Sequence, residues 1–315
     1  MNIYHHLNDL PSVPRGIMTI GTFDGFHRGH RSIIDRLIED KAKNGGETFV
    51  LSFSNHPFEV LSPMKAPKRL GSKEYKISFL KSRGIGNLVL IPFTREFAET
   101  SHTEFFQSLR RTFQRLKLIL GHDFRFGKEN LGGLDYLTSM MDDDTFDLDV
   151  VSPVTYGGYQ VSSSLIRNLI QEGHIEKANA LLQREYFVTG VCVQGDQVGR
   201  TIDYPTVNMV NQEQVYPKNG VYKTVLEIDE KFYSSMTFIG NKSLGDNNSK
   251  VIETHIFDFD ESLYGETVHI HFQKRLRDQM KFSSLDELKD QLDKDKSMAQ
   301  SLKLKSDLSP SFLSY

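Results

Sequence analysis

Two histidines three residues apart, His27 and His30, close the run Gly21-Thr-Phe-Asp-Gly-Phe-His-Arg-Gly-His30, which follows the apolar stretch Ile17-Met18-Thr19-Ile20. A strand that ends in a glycine-rich turn and reopens as a helix gathers backbone N–H groups and a helix dipole on one spot, which suits an anion. Gly21 and Gly25 let the backbone approach a phosphate closely. His27 and His30 share one face of the first helical turn. There they are able to donate to phosphate oxygens as charge builds in an in-line displacement, with no covalent intermediate. Capping a helix start is the bland alternative. The order strand, glycine turn, HxGH, helix argues against it.

A second run, Val161-Ser162-Ser163-Ser164-Leu165-Ile166-Arg167, places hydroxyls at a helix N-terminus and an arginine one turn in. Ser162, Ser163 and Ser164 would bind phosphate or cap the helix, and Arg167 would clamp a triphosphate. Alone, the run is equally an ordinary N-cap followed by a surface arginine. Beside the HxGH run it reads as the second jaw of an ATP site.

The elements that must position these groups alternate in the first half. Short apolar strands at 17–20, 49–53, 88–91 and 118–120 are separated by helical patterns at 30–44, 73–83 and 103–115. Buried-looking strands between helices predict a parallel sheet wrapped by helices, a Rossmann-like α/β domain. One helix is expected over 164–183, and near residue 184 the pattern changes. Runs at 187–193, 220–228, 232–239, 251–259 and 266–272 then follow, the last with Val268, Ile270 and Phe272 alternating with His269 and His271. An antiparallel barrel or sandwich is the natural reading. A helix returns at 284–302, with Leu285, Leu288 and Leu292 on one side, before a Ser/Pro-rich tail from 306 to 315. The domains predicted are therefore 1–184 and 185–305.

A chain of 315 residues suits two domains. Hydrophobic residues at 38%, including 22 Phe and 12 Tyr, are enough for real cores, and a net charge of −3 gives no extended footprint for nucleic acid. The single cysteine, Cys192, rules out an intrachain disulfide and a cysteine metal cluster. The start lacks the apolar core of a secretory signal, and no stretch approaches the roughly 18 apolar residues of a membrane span. A cytoplasmic protein with no membrane partner is expected.

At this point the chain resembles the prokaryotic FAD synthetases, bifunctional riboflavin kinase/FMN adenylyltransferases, over about residues 15 to 300. Their GxFDGxHxGH is matched at 21–30, including Phe23 and Asp24, and their ISSTxIR at 161–167 with Ser164 in place of threonine. Their FxPHP appears as Phe53-Ser54-Asn55-His56-Pro57, and their GxDFxFG as Gly121-His122-Asp123-Phe124-Arg125-Phe126-Gly127. The resemblance implies an antiparallel β-barrel kinase module with a C-terminal helix. It implies ATP contacts at Gly21, Phe23, Asp24, Gly25 and the serines, and flavin contacts at His56, Pro57, Asp123, Phe124 and Phe126. Phe126 would offer a flat face to an isoalloxazine and Asp123 an acceptor, with core packing the alternative for both phenylalanines.

In the second half, residues 190–208 resemble the riboflavin kinase signature, with Gly195, Gly199 and Arg200 in a turn over ATP phosphates. The resemblance implies that Thr206 and Asn208 hold Mg²⁺ and ATP, that Glu253 is the base on the ribityl hydroxyl, and that Arg277 lies on the flavin side. The substrates implied are ATP with riboflavin and FMN. Two departures bear on the kinase. The GFPTAN element reads Asp203-Tyr-Pro-Thr-Val-Asn208, putting a carboxylate where glycine is usual, and the IGxRPT turn reads Ile239-Gly240-Asn241-Lys242-Ser243-Leu244. A carboxylate beside phosphates repels them unless neutralised. A monofunctional adenylyltransferase with a weak or silent kinase module is thus an alternative. Rivals of other kinds are an HxGH transferase for a non-flavin phosphate, an HxGH tRNA synthetase, and a non-catalytic flavin- or RNA-binding regulator.

Overall fold

The computed structural model describes residues 1–142, 144–195, 199, 202–211, 213–241 and 250–302. Arg200, the turn residues Lys242, Ser243 and Leu244, and the tail at 306–315 lie outside the described residues.

In the first half, β1 (Asn2–Tyr4), β2 (Val13–Ile20), β3 (Glu47–Phe53), β4 (Asn87–Ile91), β5 (Phe113–Gly121) and β8 (Phe146–Val151) form one sheet. Its order is β1-β4-β3-β2-β5-β8, and every pairing is parallel. The short ladder of β6 (Arg125–Phe126) with β7 (Gly132–Gly133) and the hairpin of β9 (Thr155–Tyr156) with β10 (Tyr159–Gln160) stand apart from it. The helices are α1 (Arg28–Asn44), α2 (Pro57–Leu61), α3 (Lys73–Ser82), α4 (Arg95–Ala98), α5 (His102–Thr112) and α6 (Leu134–Ser139). β4 is buried along its whole length, as a strand covered on both faces must be. The strand β8 escaped the sequence reading because it is an edge strand with polar alternation. Its Asp147 and Asp149 pair with Lys117 and Arg36 at 3.1 and 2.7 Å.

After α7 (Ser163–Glu172) and α8 (Ile175–Leu182) come β11 (Tyr186–Val193), β12 (Val207–Val210), β13 (Gly220–Ile228), β14 (Lys231–Asn241), β15 (Lys250–Ile256), β16 (Thr267–Arg277) and α9 (Leu285–Ser301). These strands close into an antiparallel barrel in the order β11-β12-β15-β14-β13-β16, so the sandwich option falls away. The single helix expected over 164–183 is two. Gly173, at φ +85°, takes the left-handed conformation that ends α7, and its N–H bonds the Ile170 carbonyl at 3.0 Å. A side chain at Gly173 would also strike Arg275.

The chain divides into two compact units, and the division differs from the expected 1–184 and 185–305. One unit comprises Met1–Pro67 and Lys73–Ser162; the other takes Lys68–Ser72 and, among the described residues, everything from Ser163 on. The change of pattern at 184 marks where helices stop, whereas the units follow packing. The buried side of α8, with Ile175, Leu181 and Leu182, needs partners that the barrel supplies. Asn179 donates to the Phe272 carbonyl at 2.8 Å and accepts from the Tyr186 N–H at 2.7 Å. The segment Lys68–Ser72 is stitched in as well. The Arg69 N–H bonds the Glu213 carbonyl at 2.9 Å, and the Val215 N–H bonds the Arg69 carbonyl at 3.0 Å.

A chain cut after residue 184 therefore keeps α7 and α8 without the strands they bury against, at roughly 1.5–3 kcal/mol for each large apolar side chain exposed. Such a fragment is expected to show fast amide exchange across α7 and α8. Native-like protection there would mean that the helices need no barrel.

Candidate functional site

In the parallel sheet, β2 has β3 on one side and β5 on the other, so the chain order reverses direction beside its carboxyl end. Open α/β sheets bind ligands at such a switch point. The 21–30 run leaves β2 there. Phe23 and Phe26 both hold φ near +46°, and Gly25 +80°. Non-glycine residues rarely sit there unless their surroundings hold them. Both rings are buried; they stack on each other at 6.0 Å, and Phe26 stacks on Phe79 of α3 at 4.2 Å.

The histidines emerge above these rings. His27 is the N-cap of α1, its Nδ1 accepting from the His30 N–H at 3.3 Å. An accepting Nδ1 puts the proton of the neutral ring on Nε2. The two imidazoles stack with centroids 3.7 Å apart, and the edge of His30 meets Phe23 at 5.3 Å. Phe23, expected to contact nucleotide, is only 2% exposed and supports the His30 ring from beneath. Asp24 is buried too. Sequence reasoning missed Lys76, whose Nζ donates to the Thr22 carbonyl, Ser52 Oγ and the Phe53 carbonyl at 2.8–3.0 Å. It ties the end of β3 to the turn that follows β2, and no local motif signals a lysine on α3.

Among the expected flavin contacts, His56 caps α2 by accepting from the Phe58 N–H at 3.2 Å. Pro57 is the first residue of that helix. Asp123 is exposed and Phe124 half-buried. Phe126, for which the sequence leaves flavin contact and core packing both open, is 9% exposed and packs in the sheet's core, with Phe105 and Phe124 rings 5.6 and 5.5 Å away. Its ring face is occupied by protein. In the 161–167 run, Ser162 ends the first unit, while Ser163, Ser164 and Arg167 belong to the second. The Arg167 Nε donates to the Lys68 carbonyl at 2.8 Å.

The barrel module has a cavity of about 390 Å³, and it gathers residues far apart in sequence. Gly199, Thr206, Asn208, Glu253 and Arg277 all line it, with Tyr204, His255, Leu288 and Leu292. Strand alternation explains the gathering. Thr224, Ser235, Thr237 and Thr254 face one another inside the barrel, fully buried and bonded in a ladder at 2.8–2.9 Å. Their neighbours Met236, Phe238, Glu253 and His255 therefore point to the other face, which α9 covers. Asn208 and Glu253 are register partners across β12 and β15.

The glycines are needed for close approach. A Cβ at Gly195 would lie 2.0 Å from the Asn208 amide, and one at Gly199 2.0 Å from the Tyr204 carbonyl. Arg277 does not reach out freely to a flavin, because Asp295 of α9 holds its guanidinium by bonds of 2.7–2.9 Å. His255 Nδ1 donates to the Pro205 carbonyl at 2.8 Å, and burial lowers the pKa of the ring. Asp203, feared as a repulsive charge, is not among the cavity's walls. Lys289 neutralises it at 2.7 Å and lowers its pKa.

Comparison with known proteins accords with both halves. The family model for FAD synthetase matches residues 11–165, and that for riboflavin kinase matches 182–303. A bifunctional riboflavin kinase/FMN adenylyltransferase of Escherichia coli K12 is 32% identical over 306 residues, 95% of this chain and 97% of its own. The chain belongs to this family. A Bacillus subtilis relative of the same name is 32% identical over 90% of this chain and 92% of its own. A solved Streptococcus pneumoniae structure, titled a macrolide-efflux protein, superposes with a TM-score of 0.86 at 29% identity, covering 96% of this chain and 99% of that one. Among the described residues here, no helix is long and apolar enough to cross a membrane.

Asp295, 1% exposed, also accepts from Gln291 at 2.9 Å, so it anchors β16 to α9. Asp295→Ala leaves a half-buried guanidinium without its carboxylate and is expected to cost on the order of 3 kcal/mol. Urea unfolding followed by circular dichroism measures this. A loss below about 1 kcal/mol would mean that water replaces the carboxylate without penalty.

Proposed function

We propose that this chain makes FAD in two steps, phosphorylating riboflavin to FMN and then adenylylating FMN, with ATP as the donor in both. The observation that carries the two-step reading is the barrel cavity, which brings Thr206, Asn208 and Glu253 together beside Gly199. A module reduced to a structural role would have no need of that set. Membership of a family whose relatives are named for both activities favours the same reading over a monofunctional enzyme.

In the kinase step, the ribityl hydroxyl oxygen attacks the γ-phosphorus, its proton passes to Glu253, and ADP leaves. Magnesium fits the donor set. Thr206 and Asn208 offer neutral oxygens, Glu253 lies across the ladder from Asn208, and the described residues hold no cluster of His, Cys, Asp and Glu able to bind a metal alone. A magnesium ion that keeps its waters and binds mainly through phosphates suits such a sparse site, and it supplies neutralisation of the phosphate charge.

In the adenylyl step, an FMN phosphate oxygen attacks the α-phosphorus of ATP and pyrophosphate departs. No group need form a covalent bond to the enzyme. His27 and His30 would donate to the phosphate oxygens at the head of α1, and Gly21 and Gly25 would leave room for the chain of phosphates. Arg167 and the serines of 162–164 carry their triphosphate role from the family motif. Phe23 and Lys76 would fix the turn, and His56, Pro57, Asp123 and Phe124 remain the flavin-side residues. Arg277, held by Asp295, shapes the flavin end of the kinase cavity through its position. A cytoplasmic location accords with ATP as substrate and with the free, buried thiol of Cys192.

Incubation with riboflavin and Mg–ATP, with separation of the flavins, is expected to yield FMN and then FAD. FMN alone as acceptor is expected to release pyrophosphate. No FAD over a wide magnesium range would overturn the assignment. His27→Ala or His30→Ala is expected to slow FAD formation by about a hundredfold or more while riboflavin phosphorylation persists. The converse holds for Glu253→Gln, for which the kinase rate is expected to fall about a hundredfold with FMN adenylylation intact. An unchanged phosphorylation rate would remove Glu253 from the role of base.

A further inference from the structure

The turn before β12 departs from the family's GFPTAN element at Asp203, Tyr204 and Val207, and the first two of these are adjacent. Both side chains reach the same helix. Asp203 pairs with Lys289 of α9 at 2.7 Å, and the Tyr204 hydroxyl donates to the Asp293 carboxylate. Lys289 and Asp293 are four residues apart, so they lie one above the other on one helix face. Asp203 also keeps the backbone conformation that suits glycine, with φ +66°, and aspartate is among the few side chains that tolerate it.

The contacts surround an apolar seam. Ile202 and Tyr204 form a small core with Met236, Phe257 and Ala299, and Leu288 and Leu292 pack against it. Each of those leucines sits one residue before a latch residue, and both line the cavity. Behind the turn, the His255 ring lies tilted against the Tyr204 ring at 4.9 Å, and its Nδ1 donates to the Pro205 carbonyl. Thr206 follows directly, and Asn208 two residues later. Any tilt of the turn 202–206 away from α9 therefore moves the oxygens proposed to meet Mg–ATP. Burial and the Asp293 carboxylate push the Tyr204 phenol's pKa far up, so it remains a donor.

We propose that Asp203 and Tyr204 form a two-point latch onto Lys289 and Asp293 of α9, and that they are positioning residues for Mg–ATP in the kinase cavity. The latch rests on the kinase reading above for its function, but not for its structure. It also reverses the meaning of the Asp203 departure. The carboxylate is turned outward to a lysine, and it tightens the nucleotide turn.

The test uses the full-length protein. Asp203→Asn keeps a residue that tolerates positive φ and removes only the charge; Lys289→Ala removes the partner; Tyr204→Phe restores the family's aromatic and deletes the hydroxyl. The KM for Mg–ATP in riboflavin phosphorylation is expected to rise about two- to fourfold for the first two and about three- to tenfold for Tyr204→Phe. In each variant kcat should change less than KM, and Lys289→Arg should behave as wild type. The wild-type KM should rise between about 0.05 and 0.5 M salt, and that response should flatten in Asp203→Asn. FMN adenylylation serves as the folding control.

Amide exchange of the ligand-free turn 202–206 is a second readout, independent of activity, and all three losses should speed it. Wild-type exchange and wild-type KM in all three variants would overturn the latch. If the wild-type protein itself fails to phosphorylate riboflavin, the kinase reading falls, and the exchange data still decide the latch.

Discussion

The chemistry proposed for this chain depends on two turns that hold non-glycine residues at positive φ, a conformation that their side chains oppose. In the first, Phe23 and Phe26 are forced there, and their burial beneath α1 and against α3 offsets the cost. In the second, Asp203 takes that conformation, and the ring of Tyr204 next to it is buried. Each turn places its polar groups above an aromatic floor: His27 and His30 in one case, Thr206 and Asn208 in the other. Loosening either floor would displace the groups proposed to act there without touching them.

The barrel shows how a period of two divides labour. Along β13, β14 and β15, one set of side chains points inward and satisfies itself as a ladder of hydroxyls from Thr224 to Thr254. The other set points outward and meets α9, and between them lies the cavity. An apolar interior would serve packing equally well. Hydroxyls that are all mutually bonded make the interior rigid without leaving a polar group unpaired. A one-residue slip of β15 would bury Glu253 among the threonines and put Thr254 in the cavity.

The boundary between the two compact units falls within the 161–167 run. Ser162 closes one and Ser163 opens the other, while the segment Lys68–Ser72 leaves the first unit to bond with Glu213 and Val215 in the second. A run that reads as one local motif is thus divided between two packing environments. Helical periodicity around residue 184 could not reveal this, because α7 and α8 look alike whichever unit they pack on.

By itself, the sequence determined the order and kind of most elements, the HxGH turn, and the kinase signature, because each depends on neighbours within a few residues: a strand, a glycine turn, a helix cap. Continuous apolar runs did not reveal β8, an edge strand in which Asp147 and Asp149 alternate with Phe146, Leu148 and Val150. Nor could the sequence separate α7 from α8, where one glycine at positive φ decides. The roles that changed are those set by distant partners. Phe126 belongs to the core because Phe105 closes over it, Arg277 is held by Asp295 from α9, and the charge of Asp203 is answered by Lys289 from a helix more than eighty residues away. Local spacing determines which backbone conformation a residue adopts. Only tertiary packing decides what its side chain meets, because that depends on where the rest of the chain returns.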